Sequence, residues 1–255
     1  MPTSPASSST AEAIDPRPLL GGWWNTAPAS GGPARLSITP SADGVEIAVE
    51  TTAGDVMRCR PPRLFVAADA EPPAVAFTAA GPGAGGEVLL QGNLNLGLLV
   101  LGTYESGGDG VPGRFSRRFF ARRERPPAPP SCGVAGGGFA GPAPEAVDLG
   151  AMLGRWRNAE PRPTAVAGIH LEQAGDDLRL RADGIDGAFA SARPAVYACL
   201  DEAGQPSLCL LARCDFGRRR SELQLRVTGG VLVSAGFHAA SDRRRPFFVR
   251  EFYHR

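Results

Sequence analysis

The order of apolar and polar positions predicts strands along almost the whole chain. Leu36 and Ile38 alternate with Ser37 and Thr39, and Val45, Ile47 and Val49 alternate with Glu46 and Ala48. A period of two turns one face to a core and the other to water, so these segments are expected to be half-buried strands. The same reading places strands at 20–26, 34–39, 44–51, 55–66, 74–80, 87–95, 98–105 and 114–123, with Pro61 and Pro62 breaking the fourth. Gly, Pro and Asp punctuate the gaps as turn residues, and no stretch carries a helical period.

The pattern then repeats. Leu20, Gly21, Gly22, Trp23, Trp24, Asn25 returns as Leu153, Gly154, Arg155, Trp156, Arg157, Asn158, an offset of 133. Leu36 and Ile38 fall on Ile169 and Leu171, and Leu90, Gln91 on Leu223, Gln224. Toward the end the best match of residue types needs one deletion, which sets Arg118, Phe120 and Arg123 against Arg250, Phe252 and Arg255 at an offset of 132. Strands are expected again at 153–158, 165–172, 177–182, 188–199, 207–214, 221–227, 231–237 and 246–255. Eight short antiparallel strands with short connections close on themselves, because closure removes exposed edges. The expected architecture is all-β: two tandem eight-stranded antiparallel up-and-down barrels, at 18–123 and 149–255. A Ser/Pro/Ala-rich disordered tail is expected at 1–17 and a Pro/Gly-rich linker at 124–148.

Composition narrows the function classes. Two domains fit 255 residues, and no apolar run approaches the roughly 18 residues of a membrane helix. The first 17 residues lack the basic and apolar regions of a secretory signal, so a cytoplasmic location is expected. Five cysteines, none recurring at the repeat offset, read as reduced thiols. Every basic residue apart from histidine is arginine, which excludes lysine Schiff-base chemistry and, with the heavy use of Ala, Gly and Pro, suggests a GC-rich bacterial genome. A net charge of +1 provides no global field for nucleic acid.

The G-x-W-x-N opening, followed by a strand meander with arginine on its last strand, resembles the calycin superfamily of lipocalins and avidins. That resemblance implies lipocalin-like barrels in which Trp23 meets Arg118 and Trp156 meets Arg250 at the closed end. It also implies that Asn25 and Asn158 point into a pocket and bind ligand; read from the residues alone, each equally caps a turn. Trp24 is expected to face outward, since its counterpart is Arg157.

The remaining motifs carry little chemistry. Gly81, Gly83, Gly86 and Gly136, Gly138, Gly141 both satisfy G-x-G-x-x-G, but no helix follows to hold a phosphate. His170, His238 and His254 lack metal-ligand spacing, and no metal or other cofactor is expected. Differences between the halves are more telling. Tyr104 stands against Phe237, Tyr197 against Leu64, and Glu251 against Phe119. Tyr104, Tyr197 and Glu251 are therefore the candidate general acids, with Phe237 lining the ligand site. The alternative for Glu251 is exposure, since unpaired acids are rarely buried. Arg218, Arg219, Arg220, Arg243, Arg244 and Arg245 ring one mouth of the second repeat, where the first repeat has no arginine; they form either an anion-capturing rim or a solvated charged loop.

These features lead to three functions. The first is a cofactor-independent cyclase, isomerase or cycloaddition catalyst acting on a hydrophobic small molecule in bacterial natural-product biosynthesis. The second is a non-catalytic carrier of a hydrophobic ligand, and the third a structural module with filled barrels. The expected partners are a hydrophobic or acidic small molecule and an acidic carrier protein, without nucleic acid or membrane.

Overall fold

The computed structural model describes residues 14–27, 32–42, 44–68, 73–83, 85–107, 113–122, 148–200, 206–240 and 244–255. Most of the expected tail and linker, Cys132, Arg123 and Arg243 lie outside the described residues.

The described chain is all-β, with no helix. The first half contributes β1 (Gly21–Asn25), β2 (Pro33–Ser41), β3 (Gly44–Thr51), β4 (Val56–Arg58), β5 (Arg63–Ala67), β6 (Ala74–Gly83), β7 (Gly86–Asn95), β8 (Leu98–Glu105) and β9 (Gly113–Ala121). The second contributes β10 (Gly154–Asn158), β11 (Val166–Ala174), β12 (Asp177–Gly184), β13 (Phe189–Ala192), β14 (Ala195–Leu200), β15 (Pro206–Asp215), β16 (Arg219–Thr228), β17 (Val231–Ala240) and β18 (Phe247–His254). The expected long strands 55–66 and 188–199 are each two, split at Pro61–Pro62 and at Arg193–Pro194. Proline has no N–H for the ladder, and its ring restricts the residue before it.

Each split frees a strand to change partners. β4 stays on β3 and β13 on β12, whereas β5 pairs with β6 and β14 with β15. The other edges of β5 and β14 cross to the opposite half: β5 pairs in parallel with β18, through Phe247 and Val66, and β14 in parallel with β9, through Tyr197 and Gly113. Strands β5 to β9 and β14 to β18 thereby form one closed ten-stranded circuit drawn from both halves. The expectation of two tandem barrels contained no such circuit. β1 pairs with both β2 and β9, and β10 with both β11 and β18.

Two apolar cores result, one per half. Trp23, Leu36, Ile47, Phe77, Leu90, Leu101 and Phe120 anchor the first, and Trp156, Ile169, Leu180, Leu210, Leu223 and Tyr253 the second. The tryptophans are held identically. Trp23 Nε1 donates to Leu19 O at 2.9 Å and Trp156 Nε1 to Met152 O at 2.8 Å. Arg122 lies over Trp23 at 4.6 Å and reaches Pro18 O, while Arg255 lies over Trp156 at 4.9 Å and reaches Ala151 O. The arginines that meet the tryptophans are thus Arg122 and Arg255, not Arg118 and Arg250. The ladders give the reason. Asn25 pairs with Phe120 and Asn158 with Tyr253, so the offset on the last strand is 133, and the ladder there contains no deletion.

Candidate functional site

Along β5 to β9 and β14 to β18, alternate side chains leave the two cores and meet in the seam enclosed by the ten-stranded circuit. Two aromatic groups stand there in matching positions. Tyr104 packs on Tyr197 (5.0 Å) and Phe115 (4.9 Å), and Phe237 on Phe65 (5.3 Å) and Phe248 (5.0 Å). Register makes Phe65 the counterpart of Tyr197: Leu64 pairs with Phe77 as Val196 pairs with Leu210. Setting Leu64 against Tyr197 was therefore one residue out of phase.

Polar groups link these clusters. The Tyr104 hydroxyl donates to Gln91 Oε1 at 2.8 Å, and Gln91 Nε2 donates to Glu222 Oε2 at 3.2 Å, joining the halves. Arg213 Nε lies 3.4 Å from Glu222 Oε1, and Arg250 donates to Asn93 Oδ1 at 3.5 Å. Burial raises Tyr104 well above the usual phenol range and lowers Arg250. The Tyr104 phenol is consequently a neutral donor at physiological pH.

The two ends of the seam differ. At the Tyr104 end, Leu89, Cys209 and Leu211 complete a solid cluster. At the Phe237 end, residues 133 positions away are smaller or polar: Glu222 for Leu89, Ala76 for Cys209 and Thr78 for Leu211. A cavity of about 210 Å³ opens there, lined by Phe65, Phe237, Thr78 and Glu222, with Arg63, Arg213 and Arg220 around it. Arg220 is 3.6 Å from Asp215, whereas Arg63 has no ion pair among the described residues.

The residues singled out in the sequence are scattered by this arrangement. Tyr104 and Tyr197 come together, and Phe237 lines the cavity. Glu251 belongs to the second core, on the opposite face of β18. It is 5% exposed, which excludes the alternative of a surface position, and its counterpart at the offset of 133 is Arg118 rather than Phe119. Its Oε1 accepts from the backbone N–H groups of Thr164, Ala165 and Val166 and from Asn158 Nδ2, and its Oε2 from the Tyr253 hydroxyl. Backbone donors of the β10–β11 loop thus stand in for a cationic partner. Asn25 and Asn158 cap turns. Each side-chain oxygen accepts from the backbone two residues on, at Ala27 and Glu160, and each amide donates across the loop, to Pro33 O and Val166 O.

The arginine rim is largely engaged within the protein. Arg219 donates to Ala165 O at 2.9 Å and lies 4.8 Å from the Phe216 ring, and Arg218, Arg244 and Arg245 make contacts of their own. Cys59, Cys199, Cys209 and Cys214 are free thiols; burial pushes Cys59 up to about 11 and Cys214 up to about 12. Among the described residues no three His, Cys, Asp or Glu side chains cluster as metal ligands. The cavity residues Arg63, Phe65, Thr78, Arg213 and Glu222 were not anticipated. Extending the half-to-half comparison to Leu89 against Glu222 and Leu211 against Thr78 would have indicated where the seam is hollow.

No protein-family model matches the chain, and no curated protein matches it.

Proposed function

We propose that this chain binds a compact organic anion in the seam between its halves and serves as a carrier or receptor for it. The observation that carries this reading is the 210 Å³ cavity, with its Phe65 and Phe237 wall and the Arg63 guanidinium beside it, which has no ion pair among the described residues. Its volume is below the roughly 300–1,000 Å³ of drug-sized ligand sites. A carboxylate on a short apolar or aromatic body suits it better than a long flexible chain. A guanidinium captures a carboxylate through two parallel hydrogen bonds, and the rings take the apolar part.

The test is isothermal titration with benzoate and phenylacetate. Thr78→Leu copies the side chain that fills the opposite end of the seam, so it should abolish binding while the fold is retained; Arg63→Ser should weaken binding. Carboxylate binding untouched by both substitutions, or none at all, would overturn the proposal.

A second reading is a cofactor-independent isomerase or cyclase acting on the same ligand. The observation favouring it is Glu222, a carboxylate in the cavity wall positioned by Gln91 and Arg213, where it can accept a proton from bound substrate. Solvent deuterium incorporation into a bound carboxylate, lost in Glu222→Gln, would distinguish the catalyst from the carrier.

We also read each half as a lipocalin-like eight-stranded barrel that counts β4 with β5, and β13 with β14, as single kinked strands. Supporting this reading are the bonds carried across the first kink, Cys59 N–H to Ile47 O and Arg60 N–H to Ala80 O. The double-sided pairing of β1 and β10 and the two Trp–Arg pairs support it too.

A further inference from the structure

We propose that the outer face of β10 to β13 is a docking surface for an acidic peptide segment of a partner protein, a site separate from the seam and independent of the ligand proposed there. Two cross-strand rows of outward side chains build this face. Arg155 pairs with His170, His170 with Arg181, and Arg181 with Ser191; Arg157 pairs with Gly168, Gly168 with Asp183, and Asp183 with Phe189. Together they line an open groove of about 890 Å³.

Direct cross-strand neighbours lie roughly 5 Å apart, so Arg155 and Arg181 stand within roughly 10 Å of each other, on either side of His170. The row Arg155, His170, Arg181, Ser191 itself contains no acid. Among the described residues Arg155, Arg157 and Arg181 have no ion pair; the His170 ring has Glu172 beside it, 3.1 Å from Nδ1. A sheet gains nothing internally from such a row, but an incoming carboxylate lying over His170 would be held by guanidiniums on both sides.

The other half shows how the same fold arranges charge on the equivalent face. Its equivalent rows are Gly22, Ser37, Ala48, Arg58 and Trp24, Arg35, Glu50, Val56. There the charges are neutralised locally. Arg35 lies 3.9 Å from Glu50 and 5.1 Å from the Trp24 ring, and Arg58 is 2.6 Å from Glu46. In the second half Trp24 is replaced by Arg157, Glu50 by Asp183, which has no ion pair among the described residues, and Arg35 by Gly168, over which the Asp183 carboxylate leans, its Oδ2 3.1 Å from where a Cβ would stand. Phe189 stands across from Asp183 on β13, 78% exposed.

Arginine and exposed aromatic side chains are the groups that anchor protein partners. The groove is too open to enclose a small molecule, whose sites bury most of the ligand. Asp183 and Glu160 also line it, so a polyanion of uniform charge, such as a nucleic acid strand, would meet repulsion at one row. A peptide of mixed acidic and apolar residues places its carboxylates on the Arg155–His170–Arg181 row and an apolar side chain on Phe189.

The experiment uses the full chain and a fluorescein-labelled peptide of alternating Glu and Leu, read by fluorescence anisotropy at low salt. An Arg155→Ser/Arg181→Ser double variant should weaken binding about tenfold or more and flatten its salt dependence. Arg35→Ser/Arg58→Ser, on the equivalent first-half face, should leave it unchanged. Amide shifts in ¹⁵N-labelled protein should concentrate at Arg155, Gly168 and Phe189. The substituted side chains at 155 and 181 are exposed, so circular dichroism should confirm an unaltered fold. Absence of peptide binding at millimolar concentration, equal losses from both double variants, or tighter binding of a single-stranded oligonucleotide would each overturn the proposal. Thr78→Leu, which fills the seam cavity, should not affect the peptide, and failure of either proposal can be told from failure of the other.

Discussion

Glu251 offers the sharpest test of how the second half is held together. Replacing it by alanine removes an acceptor used by the N–H groups of Thr164, Ala165 and Val166, by Asn158 Nδ2 and by the Tyr253 hydroxyl. The last two keep Val166 O as an alternative partner, at 2.8 and 3.2 Å. Thr164 is half-buried and can turn to water, so the loss concentrates on the fully buried Ala165 and Val166 amides. Two orphaned N–H groups at about 1–3 kcal/mol each, together with the void left by the side chain, give a destabilisation of about 3–5 kcal/mol. Glu251→Gln retains an amide oxygen for the three backbone donors. Its NH₂ can donate to the Tyr253 hydroxyl, which then donates to Val166 O. The expected cost is about 1 kcal/mol. Urea denaturation at neutral pH measures both variants, and hydrogen exchange at residues 164–166 localises the effect. Equal losses for Ala and Gln, or less than about 1 kcal/mol for Ala, would refute the claim that hydrogen-bond acceptance at this position holds the loop.

Other measurements address different parts of the fold. His238 is fully buried, bonded through Nδ1 to Ser221 Oγ at 2.8 Å and stacked on Phe247, and burial, aided by Arg219, lowers it to about 3. Only the unfolded chain takes up this proton just below about pH 6.5, so stability is full above that pH and falls as the pH drops toward 3. The slope is at most about 1.4 kcal/mol per pH unit, and His238→Gln should flatten it between pH 7 and 5 in urea titrations. Trp156→Ala should cost about 3–5 kcal/mol in thermal or urea unfolding, whereas Trp24→Ala, on the outer face, should cost much less; equal losses would contradict the strand-face assignment. A Cβ on Gly113 would lie 2.6 Å from the Tyr197 ring and 2.7 Å from Glu105 O, so Gly113→Ala should destabilise the β9–β14 junction by about 1–3 kcal/mol in urea denaturation.

Local pattern was enough for the elements. Alternation at Leu36 and Ile38 or Val45 and Ile47 depends on strand geometry alone, and the strands built from these residues put those side chains in the core. The repeat at Trp23 and Trp156 likewise announced two equivalent packing centres, because each indole needs the same short turn and carbonyl partner. What lay beyond the sequence was set by contacts between distant segments. Arg122 and Arg255 were missed in favour of Arg118 and Arg250 because residue likeness suggested a deletion that the hydrogen-bond ladder does not contain. Glu251 is buried because three backbone N–H groups some 85 residues away converge on it. The prolines at 61, 62 and 194 were legible as breaks, but their result depends on which strand edges meet. β5 and β14 cross to the opposite half, close the circuit and bring Phe65, Thr78, Glu222 and Phe237 around one cavity. Side-chain periodicity records which face of a strand is buried, not what buries it. Only the tertiary pairing decided that one face of each half is buried by the other half.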